Sequence, residues 1–207
     1  TTTRVSVTTA GLEAGGDSRN PRISADGRYV VFESDADDLV ASDSNGATDV
    51  FLRDTVGNTT VRVSLNTDTS EGDGRSINGS VSDDGGFVVF ESVATDLVVG
   101  DTNGKSDVFL HQLAGGLTTR ISVNSTNAIQ GNNDSGSPLI SGDGSYAAFH
   151  SAATNLISGD TNAVQDVFLY DRGGNALARI SVKSNGQRVN GNSTTASISN
   201  TGRYISF

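Results

Sequence analysis

Short apolar runs recur along the chain at a fixed interval. Tyr29-Val30-Val31-Phe32 returns as Phe87-Val88-Val89-Phe90, as Tyr146-Ala147-Ala148-Phe149 and as Tyr204-Ile205-Ser206-Phe207, with the closing Phe at 32, 90, 149 and 207. Two further phrases keep the same beat. Asp49-Val50-Phe51-Leu52 recurs from Asp107 and from Asp166, and Arg4-Val5-Ser6-Val7 recurs from Arg62, Arg120 and Arg179. A period of this length marks an array in which each unit buries its apolar face against its neighbours.

One unit, residues 20–65, shows what each repeat contains. Pro21-Arg22-Ile23-Ser24 reads as a short strand, and Ala25-Asp26-Gly27 as the tight turn that Asp-Gly favours. Arg28 to Ser34 is β-branched and aromatic, hence a second strand. A polar loop follows from Asp35 to Thr48. Asp49–Arg53 and Thr59–Leu65 then form the third and fourth strands, with a turn at Val56-Gly57-Asn58. No stretch carries a helical period with caps. The expected fold is all-β: four-stranded antiparallel meanders over 20–65, 78–123 and 137–182. Partial strands are expected at 2–7 and 195–207. The single extra residue, between Val123 and Gln130, belongs in a loop. Ile23, Val81 and Ile140, with Phe32, Phe90 and Phe149, are expected to be buried between units.

A four-stranded meander of this length is a β-propeller blade. Pro-x-Ile-Ser-x-Asp-Gly-x-Tyr-Val-x-Phe followed by Asp-Val-Phe-Leu-x-Asp resembles the TolB-type, WD-like propeller repeat of bacterial envelope and secreted proteins, in a long-repeat variant. The resemblance implies an exported propeller scaffold for protein or glycan contacts. Relatives in which such a propeller precedes a serine peptidase domain make a non-catalytic part of a larger secreted hydrolase one alternative. A glycan-binding propeller is another, although few aromatic residues are placed to stack on sugars; Tyr170 is the one expected to stand out. The array is expected to be part of a larger propeller.

Composition narrows the function classes. The net charge is −10, and Lys occurs only at Lys105 and Lys183. That balance argues against nucleic acid, which needs a basic face. No long apolar run encodes membrane insertion. Cys is absent, which removes disulfides and thiolate chemistry. Asp-rich loops with abundant Gly, Ser, Thr and Asn suit a secreted, cell-surface or periplasmic protein. His111 and His150 fall at different repeat positions and are expected to be incidental surface residues. No metal-binding His spacing and no Gly-x-Ser-x-Gly elbow is present. Glu33 and Glu91 occupy equivalent places in different units, so they offer no acid–base pair. Catalysis is therefore not expected.

One polar constellation repeats. Asp43, Asn45 and Asp49 return as Asp101, Asn103 and Asp107, and as Asp160, Asn162 and Asp166. Several oxygens at short range suit Ca²⁺, and the loops resemble shortened calcium loops of integrin-type propellers. The competing reading is Asx-turn chemistry, with Asp49, Asp107 and Asp166 accepting backbone N–H bonds. Ala163 departs from the pattern, standing where the other loops have Gly46 and Gly104. The recurring Arg4, Arg62, Arg120 and Arg179 are expected on the outer, solvated face, paired with acids such as Asp54 or Asp171. The function these features support is a non-enzymatic extracellular scaffold for protein or adhesion contacts, stabilised by Ca²⁺, with an unidentified protein or cell-surface glycan as partner.

Overall fold

In the computed structural model the described residues are all except 125, 127, 195 and 196. The first blade comprises β1 (Ser18–Ile23), β2 (Tyr29–Ser34), β3 (Asp49–Asp54) and β4 (Thr59–Arg62). The second comprises β5 (Ser76–Val81), β6 (Phe87–Ser92), β7 (Asp107–Gln112) and β8 (Leu117–Arg120). A two-stranded hairpin, β9 (Val123–Asn124) with β10 (Ile129–Gln130), occupies the segment expected to be a loop. The third blade comprises β11 (Ser135–Ile140), β12 (Tyr146–Ser151), β13 (Asp166–Asp171) and β14 (Ala176–Arg179). The chain continues through β15 (Ser197–Ile198) and β16 (Ile205–Ser206). Each blade is a meander in which consecutive strands pair antiparallel.

The turn between the first two strands explains the Ser-x-Asp-Gly signature. Asp26 Oδ1 accepts from the Ser24 hydroxyl at 2.6 Å and from the Arg28 N–H at 3.0 Å, and Gly27 takes φ 78°. The same arrangement recurs around Asp84 and Asp143.

The core lies between blades. Val31, Val50, Leu52 and Val63 of the first blade meet Val81, Val88, Phe90 and Phe109 of the second. Val89, Val108, Leu110 and Ile121 meet Ile140, Ala147, Phe149 and Phe168 of the third. Within each blade the two Phe rings stack, with centroids 5.8, 5.8 and 5.9 Å apart. Side chains alternate across each strand, so each sheet offers one apolar face to each neighbour.

Several expectations are corrected. Ile23 is 63% exposed, while Val81 and Ile140 are 8% and 6% exposed. The latter two pack on the preceding blade, whereas among the described residues no other blade covers Ile23. Residues 2–6 are not a strand; Val7 only bridges Glu13. His111 is buried, its Nδ1 2.8 Å from the Thr118 hydroxyl. Tyr170 is also buried, and its hydroxyl donates to Asn175 Oδ1 at 3.0 Å. It shares with Arg53 and His111 a place on the third strand that faces inward. The exposed tyrosine is Tyr204, at 67%.

Candidate functional site

The repeated polar loops fold onto the recurring arginines. In the first blade Arg62 Nη1 lies 3.1 Å from Asp43 Oδ1, 3.4 Å from Asp49 Oδ2 and 3.0 Å from Glu71 Oε2. In the second, Arg120 Nη1 lies 2.9 Å from Asp101 and 3.5 Å from Asp107. In the third, Arg179 Nη1 lies 3.4 Å from Asp160 and 3.3 Å from Asp166. These three arginines are thus not on the solvated face, and their partners are not Asp54 or Asp171. Asp54 instead pairs with Arg28 at 2.7 Å. Only Arg4 matches the expected exposure, pairing with Glu13 at 2.6 Å on the surface.

The end of the fourth strand and the residues just after it fix each clamp with two side chains. Two residues after each arginine stands Ser64, Ser122 or Ser181. Each serine hydroxyl donates to Oδ1 of Asp49, Asp107 or Asp166 at 2.5 Å. Each also accepts the N–H of the residue after that Asp, at 3.1, 3.1 and 3.2 Å. These Asp therefore accept from side chains, not from the loop backbone. The serines went unassigned in the sequence, although the repeated Arg-x-Ser phrase carried the signal.

The asparagines turn their amide nitrogen to the carboxylate. Asn45 Nδ2 donates to Asp49 Oδ2 at 3.0 Å and to Gly72 O at 3.0 Å, while its Oδ1 accepts the Ala47 N–H at 2.8 Å. Asn103 does the same with Asp107, Gly131 O and Lys105 N–H. A hard cation needs oxygen ligands. The first two loops offer it N–H groups and a guanidinium, with the Asn oxygen closing an Asx turn. Asp43, Asn45 and Asp49, and Asp101, Asn103 and Asp107, thus gather into two clusters around a protein cation, and Asp160 and Asp166 into a third, whereas Asn162 turns its amide to Val189 O. Among the described residues no group of three His, Cys, Asp or Glu is placed to hold a metal ion.

Burial pushes the carboxyls of Asp43, Asp49, Asp101, Asp107 and Asp160 above the ordinary carboxylate range. At Asp49 and Asp107 the serine, asparagine and arginine act in the opposite direction. The half-buried Glu71 is held lower by Ser44 and Arg62. The third clamp is looser. Asn162 Nδ2 reaches Val189 O, but the buried oxygens Asn162 Oδ1 and Asp160 Oδ1 have no hydrogen-bond partner among the described residues. Ala163 there takes φ 52°, where Gly46 and Gly104 take 65° and 62°.

A second polar device joins one blade to the next. Glu33, 1% exposed, accepts the Asn78 N–H at 2.7 Å, and Glu91 accepts the Ser137 N–H at 3.0 Å. Both N–H groups lie at a register shift in the first strand of the following blade, where Asn78 and Ser137 take φ 57° and 50°. The carboxylates satisfy backbone donors that a bulge removes from the ladder. Nothing in the single sequence announced the bulge.

Solved structures share this architecture. TolB from Acinetobacter baumannii superposes with a TM-score of 0.53 at 16% identity, over 93% of this chain and 37% of its own. A putative TolB from Agrobacterium tumefaciens gives 0.49 at 18%, over 78% and 45%. A puromycin-hydrolyzing peptidase from Mycobacterium tuberculosis gives 0.48 at 14%, over 83% and 23%. The fold is that of a TolB-type β-propeller. The chain spans less than half the length of each of these proteins. No family model and no curated protein matches the sequence. Among the described residues no helix of this TolB-type array is long and apolar enough to cross a membrane.

Proposed function

We propose that the chain is a non-enzymatic propeller scaffold of an exported protein, presenting its surface to a protein or glycan partner. One observation carries the reading. The Asp–Arg cluster that recurs in all three blades is closed on itself, each Asp pair being met by an arginine and a serine of its own blade. A general base or nucleophile must reach a substrate atom, and here those carboxylates face inward. His111 is likewise buried on Thr118. The Asp-rich, Cys-free surface suits an oxidising or calcium-rich exterior as well as the periplasm. The test is to incubate the purified chain with peptide, ester and glycoside substrates. The expected result is no turnover above the uncatalysed rate. A turnover that one point substitution abolishes overturns the reading.

A further inference from the structure

The first blade carries a groove along its fourth strand. Its floor is Val40 of the loop between β2 and β3, Val61 of β4, and Leu65, and its rim holds Ser42, Thr69 and Glu71. The cavity measures about 560 Å³, within the range of roughly 300–1,000 Å³ found for ligand clefts. All of these residues belong to the first blade or to the segment that links it to the second. Val61 is 41% exposed, and Ser42 and Thr69 are exposed too, so the groove opens to solvent.

Two of the rim residues hold backbone that other parts of the array give to glycine. Ser42 takes φ 65°, where Gly100 and Gly159 stand in the second and third blades with φ 83° and 78°. Thr69 also takes φ 65°. It closes a turn in which its N–H donates to Asn66 O, and the matching turns at Thr8 and Lys183 carry Gly11 and Gly186 there, with φ 81° and 77°. For a β-branched residue such backbone is a genuine outlier. Strain of this kind collects at ligand sites, where the surrounding structure holds a side chain in place for a purpose. Here both strained positions put a hydroxyl-bearing residue on the rim of one groove.

The third rim residue sets the charge. Glu71 and its counterparts each reach back to the loop of the preceding blade: Glu71 to Ser44, Gln130 to Thr102 and Arg188 to Thr161. The side chain at this place is thus acidic after the first blade, neutral after the second and basic after the third. Around Arg62 the carboxylates of Asp43, Asp49 and Glu71 outnumber the one guanidinium, in a chain of net charge −10. We propose that this groove docks a partner protein through one Lys or Arg side chain, whose cationic head meets Glu71 and the hydroxyls of Ser42 and Thr69 while its aliphatic stem lies along Val40, Val61 and Leu65. A long basic side chain has that form, an apolar stem with a charged tip. A neutral glycan gains nothing from the acid and meets no aromatic ring among the residues that line the groove. The proposal rests on the scaffold reading and names the place where the scaffold takes hold of its partner.

Amide chemical shifts of the 207-residue chain test it. The probes are the end-blocked peptide Ala-Val-Lys-Val-Ala, its Arg counterpart and its Glu counterpart, each titrated to several millimolar. The Lys or the Arg peptide should shift the amides of Ser42, Ser44, Thr69 and Glu71, and the Glu peptide should not. Raising salt from about 0.05 to 0.5 M should weaken the binding severalfold by screening. Glu71→Gln retains the contact with the loop, because Gln130 makes it after the second blade, and should weaken binding by about tenfold. The deciding variant is the double substitution Ser42→Gly and Thr69→Gly. It installs the glycines found elsewhere in the array and relieves the backbone, so the melting temperature should rise by about 2–8 °C. Loss of both hydroxyls should at the same time weaken peptide binding by about fivefold or more. The proposal is overturned by the absence of shifts with both basic peptides, by equal shifts with the Glu peptide, or by shifts at these residues with cellotetraose instead. Undiminished binding in Glu71→Gln, or a glycine pair that melts lower or binds as well as the wild type, overturns it too. None of these readouts is turnover, so each is distinct from a failure of the scaffold reading.

Discussion

Arg120 Nη1 lies 2.9 Å from Asp101 Oδ1, joining the end of the second blade's fourth strand to the loop between its second and third strands. Both side chains are under one-tenth exposed, so the pair is shielded from water. Removing one partner of a buried pair strands the other's charge, at about 3–5 kcal/mol. Arg120→Ala should therefore lower the melting temperature by about 6–20 °C for a chain of this size. Arg4→Ala removes an exposed pair, with side chains 55% and 75% accessible, and should cost under about 1 kcal/mol. Calorimetry of the two variants distinguishes a buried clamp from a surface charge. The Arg120→Ala deficit should shrink as pH falls and Asp101 and Asp107, whose pKa values burial raises, take up protons.

The same clamp sets the response to divalent ions. Arg62 and Arg120 already supply the positive charge between their Asp pairs, and Asn45 and Asn103 offer those carboxylates N–H groups. A ligand that does not bind the folded state preferentially adds no stability by mass action. The melting temperature should therefore stay unchanged in millimolar Ca²⁺ and in excess chelator. A rise with Ca²⁺ that Asp107→Asn abolishes would restore the calcium reading of these loops.

The blades were legible in the sequence because period and turn chemistry agree. Gly27, Gly85 and Gly144 each follow an Asp at the one place where the turn needs a positive φ. The clusters of Asp and Asn were legible too, but not what neutralises them. That depends on register: Arg62 lies opposite Phe51 in the ladder, which lets its guanidinium reach back diagonally to Asp49 two residues earlier. Ile23 was misjudged for a different reason. Its sequence context matches that of Val81, and burial depends on a neighbouring blade that local sequence does not report. The bulge at Asn78 and Ser137 left no trace, because neither residue is the glycine such backbone usually selects.

Ala163 offers a test of the loose third clamp. It holds φ 52° without the glycine that the first two loops have there. A left-handed conformation costs an L-residue about 1–2 kcal/mol, partly offset because glycine loses more entropy on folding. Ala163→Gly should therefore stabilise the chain by about 0.5–1 kcal/mol, read as a small rise in denaturation midpoint at unchanged m-value. Gly46→Ala, the reverse change in the first loop, should destabilise by a similar amount.

Burial of His111 makes the stability depend on pH near neutrality. Desolvation lowers its pKa below 6.5, and its ring is satisfied by the Thr118 hydroxyl in the neutral form. The unfolded chain therefore binds a proton on His111 at a higher pH than the folded one does. With more protons on the unfolded state, stability rises with pH across that window and falls as pH drops below 6.5. His150, also lowered by burial, acts in the same direction. The buried carboxyls of Asp49 and Asp107 act in the opposite direction, because their raised pKa values make the folded state the stronger proton binder. Their window begins near the ordinary value of 3.8 and extends upward. Denaturant melts at pH 7.5 and 5.5 should thus show a loss of stability at the lower pH. His111→Tyr installs the residue that the third blade carries at this place, Tyr170, and should flatten that dependence. An unchanged slope in the variant would mean that His111 does not titrate between the folded and unfolded states.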